Sequence, residues 1–78
     1  MFFKSRSNSN NTAVNVRLYK ITDREGTVIE YVNVINNDFS NLWRIFRSRI
    51  GQPTNIIDLK NSGYSCTVKK DKYFIMPV

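Results

Sequence analysis

The chain has 78 residues, is 41% hydrophobic and 23% charged, and contains no histidine, which allows one small core and excludes a second domain. Twelve Lys and Arg against six Asp and Glu leave a formal charge of +6, so polyanionic partners are favoured over cationic ones. The single cysteine, Cys66, excludes an internal disulfide. Small extracellular domains normally depend on several bridges, so the expected setting is cytoplasmic. No apolar run is long enough for a membrane span, and Met1-Phe2-Phe3 before Lys4 is too short for a secretory core.

Residues 1–12, MFFKSRSNSNNT, turn from two Phe to a Ser and Asn run without period, and are expected to form a flexible basic arm carrying Lys4 and Arg6. Residues 13–78 are expected to form one α+β domain. From Ala13 the sequence alternates, with Val14, Val16 and Leu18 on one side and Asn15, Arg17 and Tyr19 on the other. That pattern predicts a half-buried strand whose valines and leucine face the core. Thr22-Asp23-Arg24-Glu25-Gly26 supplies turn formers, so residues 27–35 return as the second arm of a hairpin. Val28, Val32 and Val34 on one face and Ile29, Tyr31 and Ile35 on the other predict a strand that is central or covered twice.

Asn36-Asn37-Asp38 ends that strand, and Asn37 or Asp38 can cap a following helix by accepting from a free backbone N–H of its first turn. Phe39, Leu42, Trp43, Phe46 and Ile50 recur at helical spacing and form one apolar stripe for the sheet. Ser40, Arg44, Arg47 and Ser48 fall outside it, and Arg49 lies on the opposite flank. Gly51 and Pro53 stop the helix. Residues 54–60 are either a short strand or a tight turn, and Asn61-Ser62-Gly63 is a loop. Tyr64, Cys66 and Val68 alternate with polar residues, Lys70-Asp71 predicts a hairpin turn, and residues 73–78 close the chain as a strand. The expected architecture is ββαββ, an antiparallel sheet of about four strands with one helix on a face.

Catalysis finds little support. Without histidine the common general base and metal ligand are absent, and one cysteine cannot build a zinc site. Asp23, Glu25, Asp38 and Asp71 lie in expected turns or a cap, so no carboxylate pair is set for acid and base work. No phosphate-binding glycine motif occurs. A metal-free ribonuclease using Arg, Lys and Tyr is the one enzyme class that survives, and it is not the favoured reading. No cofactor is expected, and Cys66 reads as a small buried hydrophobe.

Binding is better supported. Arg44, Arg47 and Arg49 cluster near the helix end, where guanidinium forks suit phosphate oxygens but also complement the helix dipole. Lys69, Lys70 and Lys72 surround the last turn, with Lys60 expected to approach them, and such lysines also keep sheet edges from aggregating. Tyr19, sharing a face with Arg17, is the tyrosine expected to be exposed for base stacking, although strand tyrosines are more often core. With Lys4 and Arg6 these residues make the candidate nucleic-acid-binding set, acting on RNA or DNA mainly through phosphates.

Two other readings stand beside it. One is a protein that docks on an acidic surface of a larger protein, and the other is a subunit of a homo-oligomer or ribonucleoprotein. In length, Asn-rich and Lys/Arg-rich composition and lack of a catalytic motif, the chain resembles the small accessory proteins that bacteriophages make to block host enzymes or defence systems. That resemblance implies an inhibitor in the host cytoplasm and assigns no residue. Cations gathered in one stripe point to nucleic acid, whereas cations dispersed around an exposed apolar patch point to a protein partner.

Overall fold

The computed structural model describes residues 14–78; the expected arm, with Lys4 and Arg6, lies outside the described residues. The elements run β1 (Val16–Asp23), β2 (Val28–Ile35), α1 (Ser40–Arg49), β3 (Ile57–Asp58), β4 (Tyr64–Val68) and β5 (Asp71–Pro77), with a 3-10 turn at Lys60–Ser62. This is the expected α+β class and ββαββ order, with one correction of count. The ambiguous 54–60 segment contributes a fifth, two-residue strand, Ile57 opposite Ser65 and Asp58 opposite Tyr64. The sheet is antiparallel throughout, in the order β2-β1-β5-β4-β3. Two hairpins therefore meet along β1 and β5, and α1 with the loop after it carries the chain from one edge of the sheet to the other.

The first hairpin turns where Asp23 collects the backbone N–H groups of Glu25 and Thr27 on one carboxylate oxygen, each at 2.9 Å. Gly26, with φ +88°, takes the left-handed position beside them. Ile21 faces Glu30 and Thr22 faces Val28, so Ile29 has no opposite residue and forms a bulge. The second hairpin turns one residue earlier than Lys70-Asp71 suggests: Lys69 and Lys70 form it, with Lys69 at φ +57°, and Asp71 already pairs with Val68.

Asn36 and Asn37 adopt left-handed φ of +53° and +59° and swing the chain beneath the sheet. Asn is among the few residues that accept that geometry at low cost. The Asp38 carboxylate then accepts from the Ser40 hydroxyl at 2.7 Å and the Ser40 N–H at 3.1 Å. These bonds, the hydroxyl first, hold its carboxyl below the usual aspartate range. At the other end the Phe46 carbonyl accepts from both Ile50 N–H (2.8 Å) and Gly51 N–H (3.3 Å), which closes the last turn before Pro53.

The core lies between α1 and one face of the sheet. Leu42 and Phe46 of the expected stripe are fully buried, and Phe39, Trp43, Ile45 and Ile50 pack around them. From the sheet come Tyr19 and Ile21 of β1, Val32 and Val34 of β2, Cys66 and Val68 of β4, and Ile75 of β5. The register explains this set: Tyr19 faces Val32, Ile21 faces Ile75, and Ile75 faces Tyr64, so all share one side. Edge-on rings line the helix path from Phe39 against Tyr19 and Tyr64 to Phe46 against Tyr73.

Two expectations about faces are overturned. Val14, Val16 and Leu18 point to solvent and Tyr19 is buried at 6% exposure, the reverse of the predicted orientation. The cause is the length of β1: it continues to Ile21, which shares the side of Tyr19, and the pair outweighs the valines once α1 is laid over them. β2, whose two apolar faces predict a strand that is central or covered twice, is among the described residues an edge strand covered on one face only.

Candidate functional site

The sheet and helix disperse the predicted cations. Arg44 and Arg47 are exposed on the outer side of α1, where Arg44 hydrogen-bonds the Asn41 side chain and Arg47 flanks a groove with Trp43, Pro53 and Ile56. Arg49 is turned the other way and pairs with Glu30 of β2 at 2.8 Å, tying the helix end to the edge strand. Lys69 and Lys70 sit at the β4–β5 turn, and Lys72 lines a cleft with Asp23, Glu25 and Asp71. Carboxylates thus share the cleft with Lys72. Lys60 does not approach it: with Arg17 it lines a cleft at the far end of β4, beside Tyr64, where that strand begins rather than where it turns. Tyr19 is covered, and its ring carries the Arg17 guanidinium at 5.4 Å from the centroid.

Opposite the helix, no element among the described residues lies over the sheet. Val16 is 52% exposed, Leu18 40%, Tyr31 55% and Ile35 51%, all on the side that α1 does not cover. The register sets them in rows: Val16 beside Ile35, Leu18 beside Asn33, then Met76, Lys20 and Tyr31 across three strands. A further row runs Ile57, Ser65, Phe74, Thr22 and Val28 across all five strands. Thr22 is so enclosed in that row that it is 1% exposed and its Oγ1 has no hydrogen-bond partner.

Charge divides with the faces. Asp23, Glu30, Asp58 and Asp71 share the helix side, opposite Tyr73, Ile21, Tyr64 and Val68 respectively. Glu25 and Asp38 lie in the two bends. Among the described residues the open face therefore carries no Asp or Glu side chain, and its charges are Lys20 at the centre and, at one end, Lys72, which also borders the cleft of Asp23, Glu25 and Asp71. The sequence pattern hides these residues as a site for two reasons: alternation in β1 places Val16 and Leu18 in the core, and the two apolar faces of β2 predict cover over Tyr31 and Ile35 as well. Their signal was present: β1 and β5 carry large apolar residues at both parities, Leu18 against Tyr19 and Phe74 against Ile75.

The cleft of Arg17 and Lys60 has a volume of about 180 Å³ and lies at the amino end of α1. Phe39, Tyr64, Asn37 and Asn61 also line it. Its carboxylate, Asp58, accepts the Lys60 N–H at 2.7 Å. Gly63 closes one side with φ +99°, and a Cβ there would stand 1.9 Å from the Ile75 carbonyl oxygen. Only glycine fits that approach.

Among the described residues no group of three or more His, Cys, Asp or Glu is placed to hold a metal ion, and no helix is long and apolar enough to cross a membrane. Cys66 is buried, and burial pushes its thiol from 9.0 up to about 11, so it is protonated at neutral pH. No protein-family model, curated protein or solved structure matches the chain.

Proposed function

We propose that this chain is a non-enzymatic binding protein whose open sheet face docks on a protein surface, apolar overall and with a carboxylate set opposite Lys20. The observation that carries this reading is the pairing of Val16, Leu18, Tyr31 and Ile35, each 40% exposed or more, with a face that holds lysine and no acid. Solvent-facing apolar residues in adjoining rows mark interaction sites, and a buried lysine in the partner interface selects a carboxylate. Lys20 at the centre also disfavours a second copy seated face to face, which would bring like charges together. A partner covered in this way would be blocked at the covered surface, the behaviour implied by the resemblance to phage accessory proteins.

A second reading, phosphate-led binding of RNA or DNA, draws on Arg44 and Arg47, exposed at i, i+3 and without an ion-pair partner among the described residues. It stands second because the predicted cations spread over the helix, one turn and one cleft. Replacing Tyr31, and separately Arg44, by a photo-cross-linking phenylalanine derivative in cells that make the protein separates the two. The expected result is one nuclease-resistant protein adduct at position 31, mapping to a peptide with apolar and acidic residues, and little at position 44. A nuclease-sensitive adduct, or one confined to position 44, replaces this reading with nucleic-acid binding. An adduct to a second copy of the chain replaces it with self-assembly.

A further inference from the structure

We propose that the cleft at the amino end of α1 binds the phosphate group of a small phosphate ester such as a mononucleotide. The site lies on the helix side of the sheet and is independent of the docking face. Three separate segments of the chain converge on it: β1 with Arg17, the loop before α1 with Asn37, and the 3-10 turn with Lys60 and Asn61. Both cations lack an ion-pair partner, since the described residues form a single salt bridge, Arg49 to Glu30.

The donors match a phosphate. A guanidinium offers a planar fork of N–H groups, an ammonium three donors, and each amide two more, whereas the ester oxygens only accept. Arg17 is already steadied over the Tyr19 ring, so less freedom is lost when it engages an anion. Phe39 stands edge-on to Tyr19 at 5.2 Å and to Tyr64 at 5.4 Å, and this aromatic floor keeps water from one side of the cleft and strengthens its fields.

Two of the four non-glycine residues with left-handed backbone among the described residues, Asn37 and Lys60, line this one cleft, both at φ +59°. Backbone held in that region gathers at ligand sites, where it places side chains that a relaxed chain would not. Asp58 is the opposing charge. With one oxygen committed to the Lys60 N–H, it leaves two cations against one carboxylate and acts as a brake on anion affinity.

The test is a ¹H–¹⁵N NMR titration of the whole chain at low salt with AMP, adenosine and inorganic phosphate in turn. AMP is expected to shift the Arg17 Nε–H and the Asn37 and Asn61 side-chain amides to a saturating end point, and adenosine to leave them in place. Arg17→Gln and Lys60→Gln should each weaken AMP binding about tenfold, as loss of a charge-assisted hydrogen bond does. Asp58→Asn, which keeps the acceptor for Lys60 and removes the charge, should tighten it. All three positions are exposed, and unchanged Ile21 and Phe46 signals verify the fold. Shifts that spread over Arg44, Arg47, Lys69 and Lys70 without saturating overturn the site. So does an Arg17→Gln variant that binds as the parent does. Inorganic phosphate binding as tightly as AMP overturns the ester and leaves a free-phosphate site.

Discussion

Ile21 and Leu18 are three positions apart on β1, both aliphatic, one wholly buried beneath α1 and the other facing solvent. The same contrast repeats in β2, where Val32 and Val34 are covered while Tyr31 and Ile35 are not. Residue type is therefore not what separates the two faces of this sheet. The helix is: Leu42 and Phe46 exclude water from one side, and among the described residues no helix covers the other, where Thr22 and Ser65 are buried within their row but Val16, Leu18, Tyr31 and Ile35 are exposed. Burying one large aliphatic side chain contributes about 1.5 to 3 kcal/mol, so stability gathers on the covered face. The open face keeps apolar area whose burial remains to be gained on binding.

That division can be broken most severely at Gly63. Gly63→Ala should lose the folded state under ordinary conditions, because left-handed strain and a Cβ pressed on the Ile75 carbonyl together cost at least about 3 kcal/mol of a small domain's stability. Circular dichroism would register the loss, and a folded variant would show that β4 and β5 meet there less closely than described.

The contrast itself is sharpened by paired substitutions on β1. Ile21→Ala should cost about 2 to 5 kcal/mol by opening a cavity under α1, whereas Leu18→Asn should cost less than about 1 kcal/mol. Urea unfolding of the two variants measures the difference, and equal costs would mean that both faces are core. Thr22→Val reverses the sign within the open face. It keeps the β-branched shape and removes an Oγ1 without a partner, so a gain of about 1 kcal/mol is expected in the same assay.

The last effect depends on pH and belongs to Cys66. Its folded thiol titrates near 11 and an unfolded one near 9.0, so above the lower value the unfolded chain releases a proton that the folded chain retains. Stability should fall as pH rises through that window, and Cys66→Ala should remove this part of the fall while leaving the contributions of tyrosine and lysine. Denaturant midpoints of the two proteins between pH 8 and 11 give the comparison; parallel curves would place the thiol in contact with water.

Much of the fold was legible from local signals. Asp23 and Gly26 announced the first hairpin, the spacing of Leu42 and Phe46 announced the helix and its inward side, and Gly51 with Pro53 announced its end. Face assignment was not legible, because β1 offers Val16 and Leu18 to one side and Tyr19 and Ile21 to the other, and only the tertiary placement of α1 chooses between them. The edge position of β2 was hidden for the same reason: its sequence is apolar on both sides, and order in a sheet is set by pairing partners remote in the chain. Of the candidate residues, the exposure of Arg44 and Arg47 followed from helical periodicity. The pairing of Arg49 with Glu30, 19 positions away, and the meeting of Arg17 with Lys60 depended on the sheet.

The most direct measurement is the affinity of the protein captured at position 31 for two variants that fold as the parent does: Leu18→Asn on the open face, and Arg44→Ala with Arg47→Ala on the helix. Loss of a buried apolar contact and its replacement by an unpaired amide is expected to weaken binding about tenfold or more in the first. The helix variant should bind as the parent does and melt within a few degrees of it. Binding lost in the helix variant and kept in Leu18→Asn would contradict the division of faces and return the function to the arginines.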